Sequence, residues 1–95
     1  MATPPITSEL VRAARALLRW EQRHLADASS VSLATIKRLE AKPGALGAHN
    51  STVEALRNAF EAAGIEFTNG NQPGVRLRKD GRKKPSDRLS ARRRS

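Results

Sequence analysis

Residues 20–40, WEQRHLADASSVSLATIKRLE, predict two short helices joined by a tight turn. Apolar residues flank both helix starts as hydrophobic staples do: Trp20 with Leu25, and Val31 with Ile36. Ser32 is a good N-cap for the second helix, since its hydroxyl can accept a hydrogen bond from an orphan backbone N–H. Only residues 29–31 separate the two helices, so they must cross steeply, as in a helix-turn-helix.

This pattern resembles that of XRE-type, lambda-repressor-like DNA-binding domains. The matching positions are Trp20, Gln22, Leu25, Ala26, Val31, Ser32, Thr35, Ile36, Leu39 and Glu40. The resemblance runs from about residue 6 to residue 65 and implies a DNA-binding domain of this fold. Glu21 stands where the family usually has a capping Ser or Thr, although its charge still favours a helix N-terminus through the helix dipole. Ser30 stands where Gly is usual, and must adopt a turn conformation that costs about 1 kcal/mol.

Composition excludes several classes of protein. The chain has 95 residues, enough for one small domain, and its lack of cysteine rules out disulfides and thiol chemistry. No apolar run approaches the roughly 20 residues of a membrane span, and the N-terminus does not resemble a signal peptide. His24 and His49 are not spaced as a metal pair, and no phosphate-binding Gly loop is present. We therefore expect a cytoplasmic protein without enzymatic activity, metal or cofactor.

The charge is unevenly distributed along the chain. Residues 1–64 carry a net charge of +2, whereas residues 65–95 carry +7. An excess of this size implies a polyanionic partner, with nucleic acid first and an anionic membrane second. A merely solubilising tail is the alternative.

The segments on either side of the helix-turn-helix also read as helices. Thr7 or Ser8 caps the first helix. Its arginines either face solvent, which we expect, or contact phosphates at the end of the helix: Arg12, Arg15 and Arg19. Its predicted buried face is Ile6, Leu10, Ala13 or Ala14, and Leu17. Before the last helix, Ser51 and Glu54 predict a capping box. Its predicted buried stripe is Val53, Leu56, Phe60 and Ala63, and Gly64 ends it. Trp20 and Phe60 are expected in the core, with no second aromatic residue near either one.

Beyond Gly64 the periodicity changes from helix to strand. Residues 65–68 and 75–78 alternate apolar and polar, and the turn-forming residues 69–74 lie between them. We predict a β-hairpin with its apolar residues on one face. An isolated hairpin is marginally stable, so it must pack on the helices, pair its edge with a second chain, or do both.

The chain thus divides into four parts. We predict a disordered N-terminus (1–5), a four-helix, mainly α helix-turn-helix domain (6–64), a hairpin that can serve in dimerisation (65–79), and a disordered basic tail (80–95).

The predicted DNA contacts cluster on the second helix of the motif. A recognition helix presents the residues at and after its N-terminus to base edges. The candidates are Ser32, Leu33, Ala34, Lys37 and Arg38. Arg38 can donate two hydrogen bonds to guanine, whereas Leu33 and Ala34 offer apolar contact to thymine methyl groups. The family resemblance implies phosphate contacts for Gln22 and Thr35, and loop residue Lys42 is a further candidate. Ser32 can equally be a cap alone, and Thr35 a packing residue.

These observations predict a sequence-specific regulator of double-stranded DNA, acting as a homodimeric repressor at the nucleoid. Repression rests on the family resemblance. An antitoxin-type autoregulator, an architectural non-specific DNA binder, and an adaptor for a protein or RNA partner remain alternatives.

Overall fold

We describe residues 5–68 and 73–78 of the chain in a computed structural model. The elements are α1 (Ser8–Leu18), α2 (Gln22–Ser29), α3 (Leu33–Ala41), α4 (Asn50–Ala62), β1 (Ile65–Thr68) and β2 (Gly74–Leu77). The predicted fold class, mainly α with a small terminal hairpin, is confirmed for these residues. The disorder predicted for the N-terminal segment and the tail falls on residues outside the described ranges, apart from Pro5.

Helices α2 and α3 form the predicted helix-turn-helix. Ser30 ends α2 in the left-handed conformation, with φ of 63°, as the replacement of Gly at this position requires. Ser32 caps α3, because its hydroxyl accepts a hydrogen bond from the Thr35 N–H at 3.1 Å. Leu25, Ile36 and Leu39 are buried where the two helices meet the rest of the core.

Helix α1 is rotated relative to the predicted buried face. Thr7 is the N-cap and accepts a hydrogen bond from the Leu10 N–H at 3.2 Å. The buried residues are Ile6, Ser8, Val11, Ala14 and Leu18. Leu17 was predicted to be buried but is 42% exposed, so that prediction is wrong. Both sets of residues fit the helical period: Leu10, Ala14 and Leu17, and Val11, Ala14 and Leu18. The helix packs against the core through the second set.

Helix α4 begins earlier than its predicted capping box. His49 is the N-cap and makes no side-chain capping bond, while Ser51 already lies inside the helix. The prediction of a Ser51–Glu54 box is therefore wrong, and Glu54 instead pairs with Arg57 at 3.4 Å. The predicted stripe is confirmed, since Leu56, Phe60 and Ala63 are buried and Val53 packs against the core.

The hairpin has the predicted alternation and lies on the helices. Ile65 is paired with Leu77 and Phe67 with Val75, so the apolar residues share one face. Strand β1 contacts α4 and β2 contacts α1. Phe67 meets Phe60 edge to face at 6.0 Å between ring centroids, and Trp20 stacks on Phe60 at 5.9 Å. We expected no second aromatic near Trp20 or Phe60; these contacts correct that expectation.

None of the helices in the described ranges is long and apolar enough to cross a membrane.

Candidate nucleic-acid interface

The exposed face of α3 carries the predicted base-contacting residues. Ala34, Lys37 and Arg38 are exposed, whereas Leu33 and Thr35 are half-buried. Ile36, Leu39 and Glu40 lie on the opposite side and are buried. A helix advances about 100° per residue, so this division into two faces follows from the 3.6-residue period. Two cations thus occupy the outward side of α3.

The two hydroxyl groups at the start of α3 bond to each other. Ser32 Oγ donates to Thr35 Oγ1 at 2.9 Å and accepts from the Thr35 backbone N–H at 3.1 Å. Ser32 therefore acts as a cap, and Thr35 keeps its own hydroxyl hydrogen for a further contact. Base or phosphate contact by either residue stays a prediction.

Glu40 holds α3 against the first two helices. Arg15 donates from Nη2 to Glu40 Oε1 at 2.7 Å and from Nε to Oε2 at 2.8 Å, a bidentate pair. Arg15 Nη1 also donates to the Trp20 carbonyl at 3.0 Å, and Arg12 Nη1 donates to the Glu40 carbonyl at 2.9 Å. The Glu40 side chain is only 5% exposed and that of Arg15 18%.

The arginines of α1 were expected in solvent, and for Arg15 that expectation is wrong. Arg12 is exposed, yet its guanidinium also reaches α3. Arg12 and Arg15 are three residues apart and thus share a helix face. That spacing, together with the acidic Glu40 at the end of the apolar motif, is the sequence feature that could have indicated these contacts. Arg15 and Glu40 are 25 residues apart in the sequence, so local patterns could not predict that they pair.

Gln22, the predicted phosphate contact, joins the same network. Its Nε2 donates to Glu40 Oε1 at 3.1 Å, and the residue is half-buried. A side-chain amide nitrogen carries two hydrogens, so one N–H remains for a phosphate oxygen. Glu40 accepts hydrogen bonds when ionised, which directs the amide nitrogen toward it.

Helix α2 starts without the usual Ser or Thr cap. The Glu21 backbone N–H donates to His24 Nδ1 at 2.9 Å. His24 thus supplies the reciprocal half of a capping box in place of Glu or Gln.

Lys42 is exposed at the C-terminus of α3, at the start of a loop fixed to α1. The Gly44 N–H donates to the Glu9 carboxylate at 3.1 and 3.3 Å, and the Ser8 N–H donates to the Gly44 carbonyl at 2.9 Å. Thr7 and Ala45 form an isolated β-bridge. Hydrogen bonds from its own backbone N–H and from that of Gly44 hold the pKa of the Glu9 carboxyl below its usual 4.5.

A shallow groove separates α3 from the start of α4. Its lining residues are Thr35, Arg38, Gly47, Ala48, His49 and Thr52. A smaller depression beside it is lined by Arg38, Leu39, Lys42, Ala45 and Gly47. Arg38 borders both, so this cation lies beside a concave strip that ends at the N-terminus of α4.

Comparison with protein-family models finds none that matches this sequence, and comparison with curated proteins likewise finds no match.

Proposed function

We propose that the chain is a sequence-specific double-stranded-DNA-binding transcriptional regulator that acts as a homodimeric repressor in the cytoplasm, at the nucleoid. The observation that carries the proposal is the two-sided character of α3. Its outward side presents Lys37 and Arg38, while its inward side is anchored through Glu40. A rigid helix with exposed cations matches what insertion into the major groove requires.

The surroundings of α3 supply a fitting surface for the DNA backbone. Arg38 borders the groove that ends at the start of α4, and Lys42 borders the smaller depression beside it. A helix N-terminus attracts phosphate because its free N–H groups and dipole favour anions. Gln22 adds an oriented amide at the start of α2. Phosphate contacts of this kind fix the register of a protein on the duplex.

Selection from a random duplex library by the full-length protein tests the proposal. Salt of about 0.15–0.2 M weakens non-specific phosphate binding. We expect an inverted repeat to be enriched, and its half-site spacing to report the geometry of a dimer. Recovery of duplex without any enriched motif would instead indicate an architectural binder. No recovery at all would direct the search to a protein or RNA partner.

The dimer is tested separately by gel filtration with light scattering. Strands β1 and β2 form a sheet of only two strands within the described residues, so hairpin edges are available for pairing with a second copy. We expect twice the chain mass at micromolar concentration. A monomer under these conditions would contradict the homodimer and leave the DNA-binding proposal to the library selection.

A further inference from the structure

The exposed side of α3 offers hydrogen-bond donors and lacks charged acceptors. Among the residues that the structure describes on this helix, Lys37 and Arg38 are the exposed charged side chains. Lysine and arginine donate hydrogen bonds and accept none. Their neighbours Ala34 and Ala41 are also exposed and carry no polar side-chain atom.

The charged acceptor on α3 is engaged elsewhere. The helix has one carboxylate, Glu40, which is buried on the opposite side and held by Arg15 and Gln22. The hydroxyls of Ser32 and Thr35 bond to each other, and the Ser32 oxygen also accepts the Thr35 N–H. The free hydrogen in this pair is on Thr35, and each oxygen keeps one lone pair, so the two hydroxyls favour neither donors nor acceptors on a base edge.

Base edges in the major groove differ in what they demand from such a surface. Guanine presents two acceptors, N7 and O6, whereas cytosine presents an N4 donor and adenine pairs its N7 acceptor with an N6 donor. A hydroxyl serves either kind of base edge, whereas the most selective contact to cytosine uses a carboxylate and that to adenine a side-chain amide. The exposed side of α3 has neither.

We infer that this chain reads guanine, and that its half-site contains guanine opposite Arg38 with a further acceptor edge opposite Lys37. The inference rests on the proposed function and specifies its target. Arg38 supplies the planar fork that matches N7 and O6 together, and Lys37 supplies a single point donor. Ala34 lies four residues before Arg38 on the same helical row, where its methyl group suits a thymine methyl.

The test couples one protein side chain to one base atom. The duplex recovered by the wild-type chain from the random library is synthesised again with 7-deazaguanine, which lacks the N7 acceptor, at each enriched guanine. We expect one substitution to weaken wild-type binding on the order of tenfold, because half of a bidentate contact is lost. For Arg38→Ala the same substitution should have no effect, since the partner of N7 is already gone.

Two further variants separate base reading from charge. Arg38→Lys keeps the charge but not the fork, so we expect lost preference for guanine at that position with unchanged binding to random duplex at low salt. Arg76→Ala removes another exposed arginine, one on the hairpin with a side chain that is 72% exposed, and should leave the motif unchanged. Arg38 is exposed, so Arg38→Ala should melt within a few degrees of the wild type.

Three results would overturn the inference, and they differ in what they leave standing. An enriched motif that lacks guanine contradicts it and leaves the proposed function intact. So does a guanine motif that is insensitive to 7-deazaguanine and to Arg38→Ala. Recovery of no motif, or of no duplex, contradicts both the inference and the proposed function.

Discussion

Glu40 is the residue on which the candidate interface depends most. Its carboxylate is almost fully buried and is neutralised by Arg15. Removing one partner of a buried pair leaves an uncompensated charge, so we expect Arg15→Gln to lower the free energy of unfolding by about 3–5 kcal/mol. Urea denaturation followed by circular dichroism measures this directly.

The hairpin provides the matched control for that substitution. Arg76 pairs with Glu66 at the same 2.7 Å, but the Arg76 side chain is 72% exposed and that of Glu66 37%, far more than at the Arg15–Glu40 pair. Exposed pairs contribute about 0–1 kcal/mol, so Arg76→Gln should shift the midpoint little. Equal losses for the two variants would contradict a special role for burial at Glu40.

Glu9 gives the stability a dependence on pH. Its folded-state pKa is lowered by hydrogen bonds to its own N–H and to that of Gly44. The ionised carboxylate therefore stabilises the fold above its usual pKa of 4.5, and this contribution is lost as the pH falls through the lowered folded pKa. We expect the wild type to lose more stability than Glu9→Gln when the pH falls from 7 to below the folded-state pKa of Glu9. Urea midpoints across this range check the difference, and parallel losses would contradict it.

At the scale of elements, two residues with left-handed backbone conformation predict stability changes of opposite sign when glycine is introduced at one and removed at the other. Ser30 has φ of 63° between α2 and α3, so Ser30→Gly should relieve strain and stabilise the chain by about 0.5–1 kcal/mol. Gly44 has φ of 93°, and a Cβ there would meet no atom within 4 Å. Gly44→Ala should therefore destabilise through backbone strain alone, by about 1–2 kcal/mol. Thermal melting should show shifts of opposite sign; shifts of the same sign would refute the strain argument.

Local sequence patterns predicted the elements well where one short-range signal dominated. The Ser32 cap and the shared face of Phe67 and Val75 follow from short stretches of sequence, and the left-handed Ser30 follows from the position at which the family resemblance places Gly. Helix α1 is different, because Leu17 and Leu18 are both leucines and either can be the last residue of an apolar stripe. Tertiary packing selects Leu18. The start of α4 was missed because His49 gives no capping signal of its own.

In the candidate site, the contacts between residues that are distant in sequence could not be predicted from the sequence. The exposure of Lys37 and Arg38 could be predicted, since it follows from helix periodicity around Ile36 and Leu39. The bond of Gln22 to Glu40 could not, because it depends on how α2 and α3 cross. A family resemblance predicts which positions contact phosphate, but it does not predict the hydrogen bonds that those side chains make within the protein.

At the scale of the whole molecule, the charge beyond the helices predicts that the basic tail adds affinity for DNA without affecting which sequence is bound. Residues 79–95 carry 8 Lys or Arg and 2 Asp or Glu. Each phosphate that they neutralise adds about −0.9 to the slope of log affinity against log salt. Deleting these residues should therefore flatten the salt dependence and leave the preferred DNA sequence unchanged. Fluorescence anisotropy at several salt concentrations, with a repeated selection, measures both; a changed motif would contradict this prediction.

The contact between β2 and α1 brings the last strand of the described chain onto its first helix. Because synthesis runs from the N-terminus, α1 leaves the ribosome before its β2 cover exists. Ile65 likewise waits for its partner Leu77. A nascent chain halted before residue 74 would leave both apolar surfaces exposed to solvent, so this part of the core is covered only after residues 74–77 have been synthesised.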